Sequence, residues 1–206
     1  MKTPPFAFAD PKQERSKQTL DNILDAVHQI VGEADPEIFT SRMLAIKSGY
    51  GLGTLTRRLS SIENVFLWAI YQARQKKFEE LALVIGRFET DIPIQTFAQS
   101  MVDTAFAGIT KVNPSVMRFF ENRFTKMQGL PSDYFAYMDT LIEPYREVAR
   151  QNNTGTFRNL SKNEAALLIR QLCLLIERPF VEGNPIAGTD EHRHIVMDTI
   201  IRLLGK

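Results

Sequence analysis

Apolar side chains recur at steps of three and four residues along most of the chain, while runs alternating apolar with polar residues are scarce, so the pattern predicts an all-α fold. The first stripe, Leu20, Ile23, Leu24, Val27, Ile30 and Val31, lines one helix face. Asp10, Pro11 and Gln13 predict its start: a side-chain cap, a proline at the first helical position and a capping-box partner. Gly32 predicts its stop. Thr40 caps a short second helix carrying Met43, Leu44 and Ile46, which Gly49 and Gly51 interrupt before apolar positions resume at Leu52, Leu55 and Leu59. Ser60 and Glu63 form a further capping box, opening a long helix through Val65, Phe66, Ala69 and Ile70 towards Phe88. Later helix starts fall at Asn113 with Pro114, Ser132, Ser161 with Glu164, and Asp190. No internal repeat or low-complexity tract is present.

The run TSRMLAIKSGYGLGTLTRRLSSIENVF, from Thr40 to Phe66, admits two structures. A phosphate-cradling loop needs a strand before its glycines and a helix after them, so that backbone amides converge on the anion. RMLAIKS carries a helical cap instead, and GYGLG lacks both the third glycine of the dinucleotide pattern and the lysine of the Walker pattern. A helix-turn-helix fits better. Gly49 then ends the first helix in the left-handed conformation, Tyr50 points into the small core, and Gly51 begins a recognition helix whose first residues enter the major groove.

These features resemble the DNA-binding domain of the tetracycline-repressor (TetR) family. The shared order is a threonine-capped helix, the pair Leu44 and Ala45, Gly49, a hydrophobe at Tyr50, the GTL of Gly53 to Leu55, Leu59, Ser60 with Ser61, Glu63, and the apolar pair Val65 and Phe66. The resemblance implies a three-helix DNA-binding domain with an N-terminal arm over residues 1–66, and a larger helical effector-binding and dimerisation domain over 67–206. It further implies that Arg42, Thr54 and Arg57 meet the groove or the phosphates beside Leu52 and Gly53, with Thr40, Ser41, Thr56 and Arg58 positioned against the backbone. The family usually has tyrosine at Thr56, lysine at Ile62, and serine or threonine at Gly51. The glycine costs only a few tenths of a kcal/mol as a cap. The first two departures leave open an alternative: a helical, dimeric ligand- or protein-binding module that has lost sequence-specific DNA binding.

Charge modifies this only locally. The net charge of +1 gives the molecule no overall attraction for nucleic acid, so binding must rest on a patch. Arg42, Lys47, Arg57 and Arg58 supply one, since no acidic residue lies between Thr40 and Arg58. Lys2, Lys12, Arg15 and Lys17 suggest an arm for the minor groove, but Asp10, Glu14 and Asp21 beside them oppose phosphate attraction.

The composition, 44% hydrophobic and 24% charged over 206 residues, is that of a soluble globular protein. The single cysteine, Cys173, excludes an intramolecular disulfide and suits a reducing compartment. No signal peptide and no apolar run of membrane-spanning length is present, so a cytoplasmic protein is expected. His192 and His194 fall on different sides of a helix, His28 stands alone, and no nucleophile motif occurs. No catalysis, metal or cofactor is therefore expected.

Residues 94–140 are rich in aromatic and methionine side chains, which build both ordinary cores and adaptable apolar pockets. With the resemblance, a site for a small hydrophobic or amphipathic effector is expected around Phe97, Met101, Phe120, Phe124, Tyr134, Tyr137 and Met138. The helices AALLIRQLCLLIE, Ala165 to Glu177, and HIVMDTIIRLL, His194 to Leu204, are apolar around most of their circumference and need cover on both sides. The resemblance implies that they join two subunits. A two-fold homodimer of this kind would read a palindromic operator.

Overall fold

The computed structural model describes residues 14–33, 35–59, 61–124 and 136–206. Among these residues the chain forms helices and no strands, apart from one isolated antiparallel bridge between Phe157 and Gly205. The fold is all-α, with an N-terminal helix-turn-helix followed by a helical region. The described residues form two compact units, one drawn from 1–74 with 115–131 and the other from 75–114 with 132–206.

In the first unit, α1 (Glu14–Glu33), α2 (Ser41–Ser48), α3 (Leu52–Arg58) and the opening turns of α4 (Ile62–Ile85) enclose a small core. Ile23, Ala26, Val27 and Ile30 of α1 meet Leu44 of α2, Leu55 of α3, Leu59, and Val65, Phe66 and Ala69 of α4. Each fully buried leucine or isoleucine contributes about 1.5–3 kcal/mol. The short helices α2 and α3 could not persist alone, and this burial holds them. Helix α6 (Pro114–Phe124) belongs to the same unit although it lies far along the chain. Phe39, just before α2, stacks on Phe66 at 4.6 Å between ring centroids and meets the edge of Phe119 on α6 at 5.3 Å. Arg123 of α6 pairs with Glu63 at 3.1 Å.

The second unit contains α5 (Ile94–Ile109), α7 (Ile142–Gln151), α8 (Lys162–Glu182) and α9 (Asp190–Leu204). Phe97 of α5 sits among Phe88, Tyr145 and Phe157, with centroids 5.0, 6.3 and 5.4 Å away. Asp139, in a single 3-10 turn before α7, accepts two hydrogen bonds from Arg170 of α8, at 2.7 and 2.6 Å. His192 of α9 is buried against α8. Its Nδ1 accepts the Gly188 N–H at 3.2 Å, so Nε2 carries the proton and donates to the Leu175 carbonyl at 2.9 Å. This histidine is a satisfied core residue.

Helix boundaries follow local chemistry. Ser161 and Glu164 form the expected capping box, and α6 starts at Pro114 directly after Asn113. Two boundaries move by a residue. Helix α1 continues past Gly32 to Glu33, while α9 starts at Asp190 as expected, capped by Thr189, whose hydroxyl accepts the His192 N–H. At α4 the cap is Ser61, whose hydroxyl accepts the Asn64 N–H at 3.3 Å, while Glu63 turns to Arg123. Ser60 lies outside the described residues, as do the starts expected at Asp10 and Ser132. Helix α4 ends at Ile85 and a turn carries the chain through Phe88. Residue 66 lies within α4, and the compact units divide after Arg74.

Candidate nucleic-acid interface

The bend between α2 and α3 is built locally, at Thr40, Gly49 and Gly51. Thr40, with extended backbone, accepts the Met43 N–H on its hydroxyl at 3.2 Å and so starts α2. Gly49 ends it at φ 73°, ψ 8°, its N–H returning to the Ala45 carbonyl at 3.0 Å. Only a residue without Cβ takes that conformation freely. Gly51 then returns to extended backbone and opens α3 without a side-chain cap. The segment before the glycines is thus a helix, which removes the strand a phosphate-gripping loop would need.

Helix α3 buries Leu55 and lies against the core through it and Leu59. On its other side Leu52, Gly53, Thr56 and Arg57 are exposed, and Thr54 is half-buried. Leu52, at 54% exposure, is thus a surface residue although it continues the apolar pattern. So is Ile46 of α2, at 69%, because it falls on the side of the helix opposite Leu44. Thr40 and Arg42 are exposed and Ser41 is half-buried at the start of α2.

The basic side chains are not equivalent. Arg57 donates from Nε to the Gly53 carbonyl at 3.2 Å and stays exposed along α3, while the Thr56 hydroxyl bonds back to the Leu52 carbonyl at 3.0 Å. Lys47 pairs with Glu33 at 2.9 Å, which offsets part of the local positive charge. Arg58 is half-buried and donates from Nη2 to the Ser16 hydroxyl of α1 at 2.9 Å. Tyr50 packs its ring against the core, and its hydroxyl accepts the Asn22 amide of α1 at 3.1 Å. Ser16, Asn22 and Glu33 carry no signal in the sequence, because they lie 14 to 42 positions away from the residues they bond. Of the expected arm, Lys2 and Lys12 lie outside the described residues.

The residues expected to line an effector site divide between the units. Phe120 belongs to the first, while Phe97, Met101, Tyr137 and Met138 belong to the second, and all five are buried. Tyr137 meets the edge of Phe78 at 5.0 Å, and Phe97 belongs to the aromatic cluster around Tyr145. Tyr134 lies outside the described residues, and of Phe124 only the backbone is described. A solvent-open groove of about 380 Å³ runs between α5 and α9, lined by Gln99, Val102, Asp103, Asp190, Arg193, His194 and Met197. None of the expected effector residues borders it. No group of histidine, cysteine or acidic residues suited to a metal ion, and no helix long and apolar enough to cross a membrane, occurs among the described residues.

A helix-turn-helix unit joined to a helical region is the architecture of TetR-type transcriptional regulators, and solved structures carry the likeness over nearly the whole chain. A protein described as a transcriptional regulator from Saccharomonospora viridis, in complex with choline, superposes with a TM-score of 0.65 at 15% identity, covering 92% of this chain and 99% of that one. A protein of Mesorhizobium loti MAFF303099 described as a TetR-family regulator gives 0.64 at 12% identity, covering 94% and 100%. A TetR regulator from Rhodococcus sp. RHA1 gives 0.55 at 13% identity, covering 93% and 97%. No family model and no curated protein matches the sequence. At such identities the shared property is the fold, and the chain has the TetR fold.

Proposed function

We propose that this protein is a ligand-responsive, DNA-binding transcriptional regulator: a repressor that occupies a palindromic operator as a homodimer and leaves it when a small hydrophobic or amphipathic effector binds. One observation carries the proposal. A capped, glycine-ended α2 turns into an α3 that buries Leu55 and presents Leu52, Gly53, Thr56 and Arg57 to solvent, the arrangement that lets a recognition helix enter a major groove. Arg42, Thr54 and Arg57 are the proposed groove or phosphate contacts, with Thr40 and Ser41 against the backbone.

Dimerisation through α8 and α9 is supported by their exposed apolar side chains Leu167, at 66% exposure, and Ile195, at 40%. Two copies set recognition helices about 34 Å apart, or a multiple of that distance. The effector must favour the arrangement that does not fit DNA, and its affinity ratio between the two states sets the extent of release. The Saccharomonospora viridis protein, solved in complex with choline, is a precedent for a small bound molecule on this fold.

The test is selection of duplexes from a random-sequence pool by the full chain, followed by titration against salt. A palindromic consensus bound by the dimer is the expected result, and Arg57→Ala should weaken binding and reduce the magnitude of the salt slope by about 0.9, the value for one phosphate contact. A pool that yields no enriched sequence would leave the helical dimer as a ligand- or protein-binding module.

A further inference from the structure

Helix α3 is seven residues long, buries one side chain of its own, and starts at a glycine that offers no capping oxygen. These features anchor it weakly, yet a reading helix needs a fixed orientation, because a small rotation moves every side chain away from its base edge. Two polar ties to α1 supply what the core does not. Before its first turn, the Tyr50 hydroxyl accepts the Asn22 amide at 3.1 Å, and Asn22 in turn accepts the Gln18 amide at 2.9 Å. At its last residue, the Arg58 guanidinium donates to Ser16 at 2.9 Å. The ties sit at opposite ends of α3, six positions apart on α1. Together they resist rotation of α3 on its apolar anchors Leu55 and Leu59.

We infer that Arg58 is a positioning residue and not a phosphate contact: it holds the recognition helix on α1 through Ser16, as Tyr50 does through Asn22, and leaves DNA contact to Arg57 and its exposed neighbours. The inference rests on the DNA-binding reading above and separates two adjacent arginines that the sequence presents alike. Arg57 stays on the solvent side of α3, whereas Arg58 is half-buried and directed to α1.

Ser16→Ala decides the matter, since it leaves every charge in place. If Arg58 orients α3, Ser16→Ala weakens binding to the selected duplex by about three- to tenfold, the loss expected for one hydrogen bond. The slope of log affinity against log salt stays at the wild-type value, because no phosphate contact is lost. Discrimination between the selected duplex and a scrambled one falls as well. Arg58→Ala gives the same loss with the same unchanged slope, and the double variant loses no more than either single one. Arg57→Ala, measured alongside, lowers the slope. Melting temperatures of all variants confirm that the full chain is folded.

The inference is overturned if Ser16→Ala binds as tightly as wild type, or if Arg58→Ala reduces the slope by about 0.9, the mark of a phosphate contact. Failure of the wild-type chain to enrich any duplex is a different outcome. That result removes the DNA-binding reading and this inference with it.

Discussion

The hydroxyl of Tyr145 lies 3.1 Å from the carbonyl oxygen of Leu204, joining residues 59 positions apart, and 2.9 Å from the carbonyl of Arg158. Its one proton is shared between the end of α9 and the segment after α7. Arg158 reinforces the same join, its N–H reaching the Leu204 carbonyl and its guanidinium the Leu203 carbonyl. Tyr145→Phe keeps the ring packing and removes the donor, which should cost about 1–3 kcal/mol and lower the melting temperature of the full chain.

The same residue gives the protein an alkaline limit. Burial pushes the Tyr145 hydroxyl well above the ordinary tyrosine range, and the nearby Arg158 charge pulls it only partly back. A raised value in the folded state means that this stabilisation is complete below the unfolded pKa of about 10 and is lost as pH rises towards the folded value. Urea unfolding followed from neutral to strongly alkaline pH should show this decline in the wild type, and Tyr145→Phe should show less of it.

The capping box of α8 gives a dependence of opposite sign. The Ser161 hydroxyl and then the Ser161 N–H hold the Glu164 carboxyl below the usual carboxylate range. Its stabilising effect is therefore present above the unfolded value of about 4.3 and lost as pH falls through the folded one. Ser161→Ala should lower the melting temperature at neutral pH, and the gap to wild type should narrow as pH falls through the lowered folded value, where the carboxylate becomes protonated in both states.

Gly49 and Gly205 should fail differently when changed to alanine. At Gly49 no atom lies within 4 Å of the added methyl group, so the cost is conformational, about 1–2 kcal/mol for a left-handed backbone, and Gly49→Asn should recover part of it. At Gly205 the methyl carbon would stand 2.4 Å from the Ile201 carbonyl oxygen and 3.4 Å from Ile94, so backbone must move, at about 1–3 kcal/mol. Asparagine offers no rescue there. Chemical denaturation of the three variants measures the difference.

Elements governed by neighbours in the chain were legible from the sequence. Thr40, Gly49, Gly51 and the Ser161–Glu164 box each act within five residues, and the apolar repeat in α1 selected Ile23, Val27 and Ile30 correctly as core. The roles of adjacent residues in α3 were not legible. Arg57 and Arg58 differ only through Ser16, which the fold, not the chain order, brings to one of them. The aromatic and methionine stripe was ambiguous for the same reason: Phe97 and Phe120 share a composition pattern yet belong to different compact units. Ile46 shows the limit of periodicity in an eight-residue helix, which has too few turns for one misplaced apolar residue to stand out.

The docking of α6 has a consequence for biosynthesis. As the ribosome extends the chain, Phe39 and Phe66 emerge long before Phe119, and Glu63 long before Arg123, so the helix-turn-helix unit is complete only after roughly forty intervening residues have been made. At about 5–20 residues per second this interval lasts a few seconds. During that time the nascent unit exposes the aromatic surface that α6 later covers, which makes this stretch of translation the period in which a chaperone would find it.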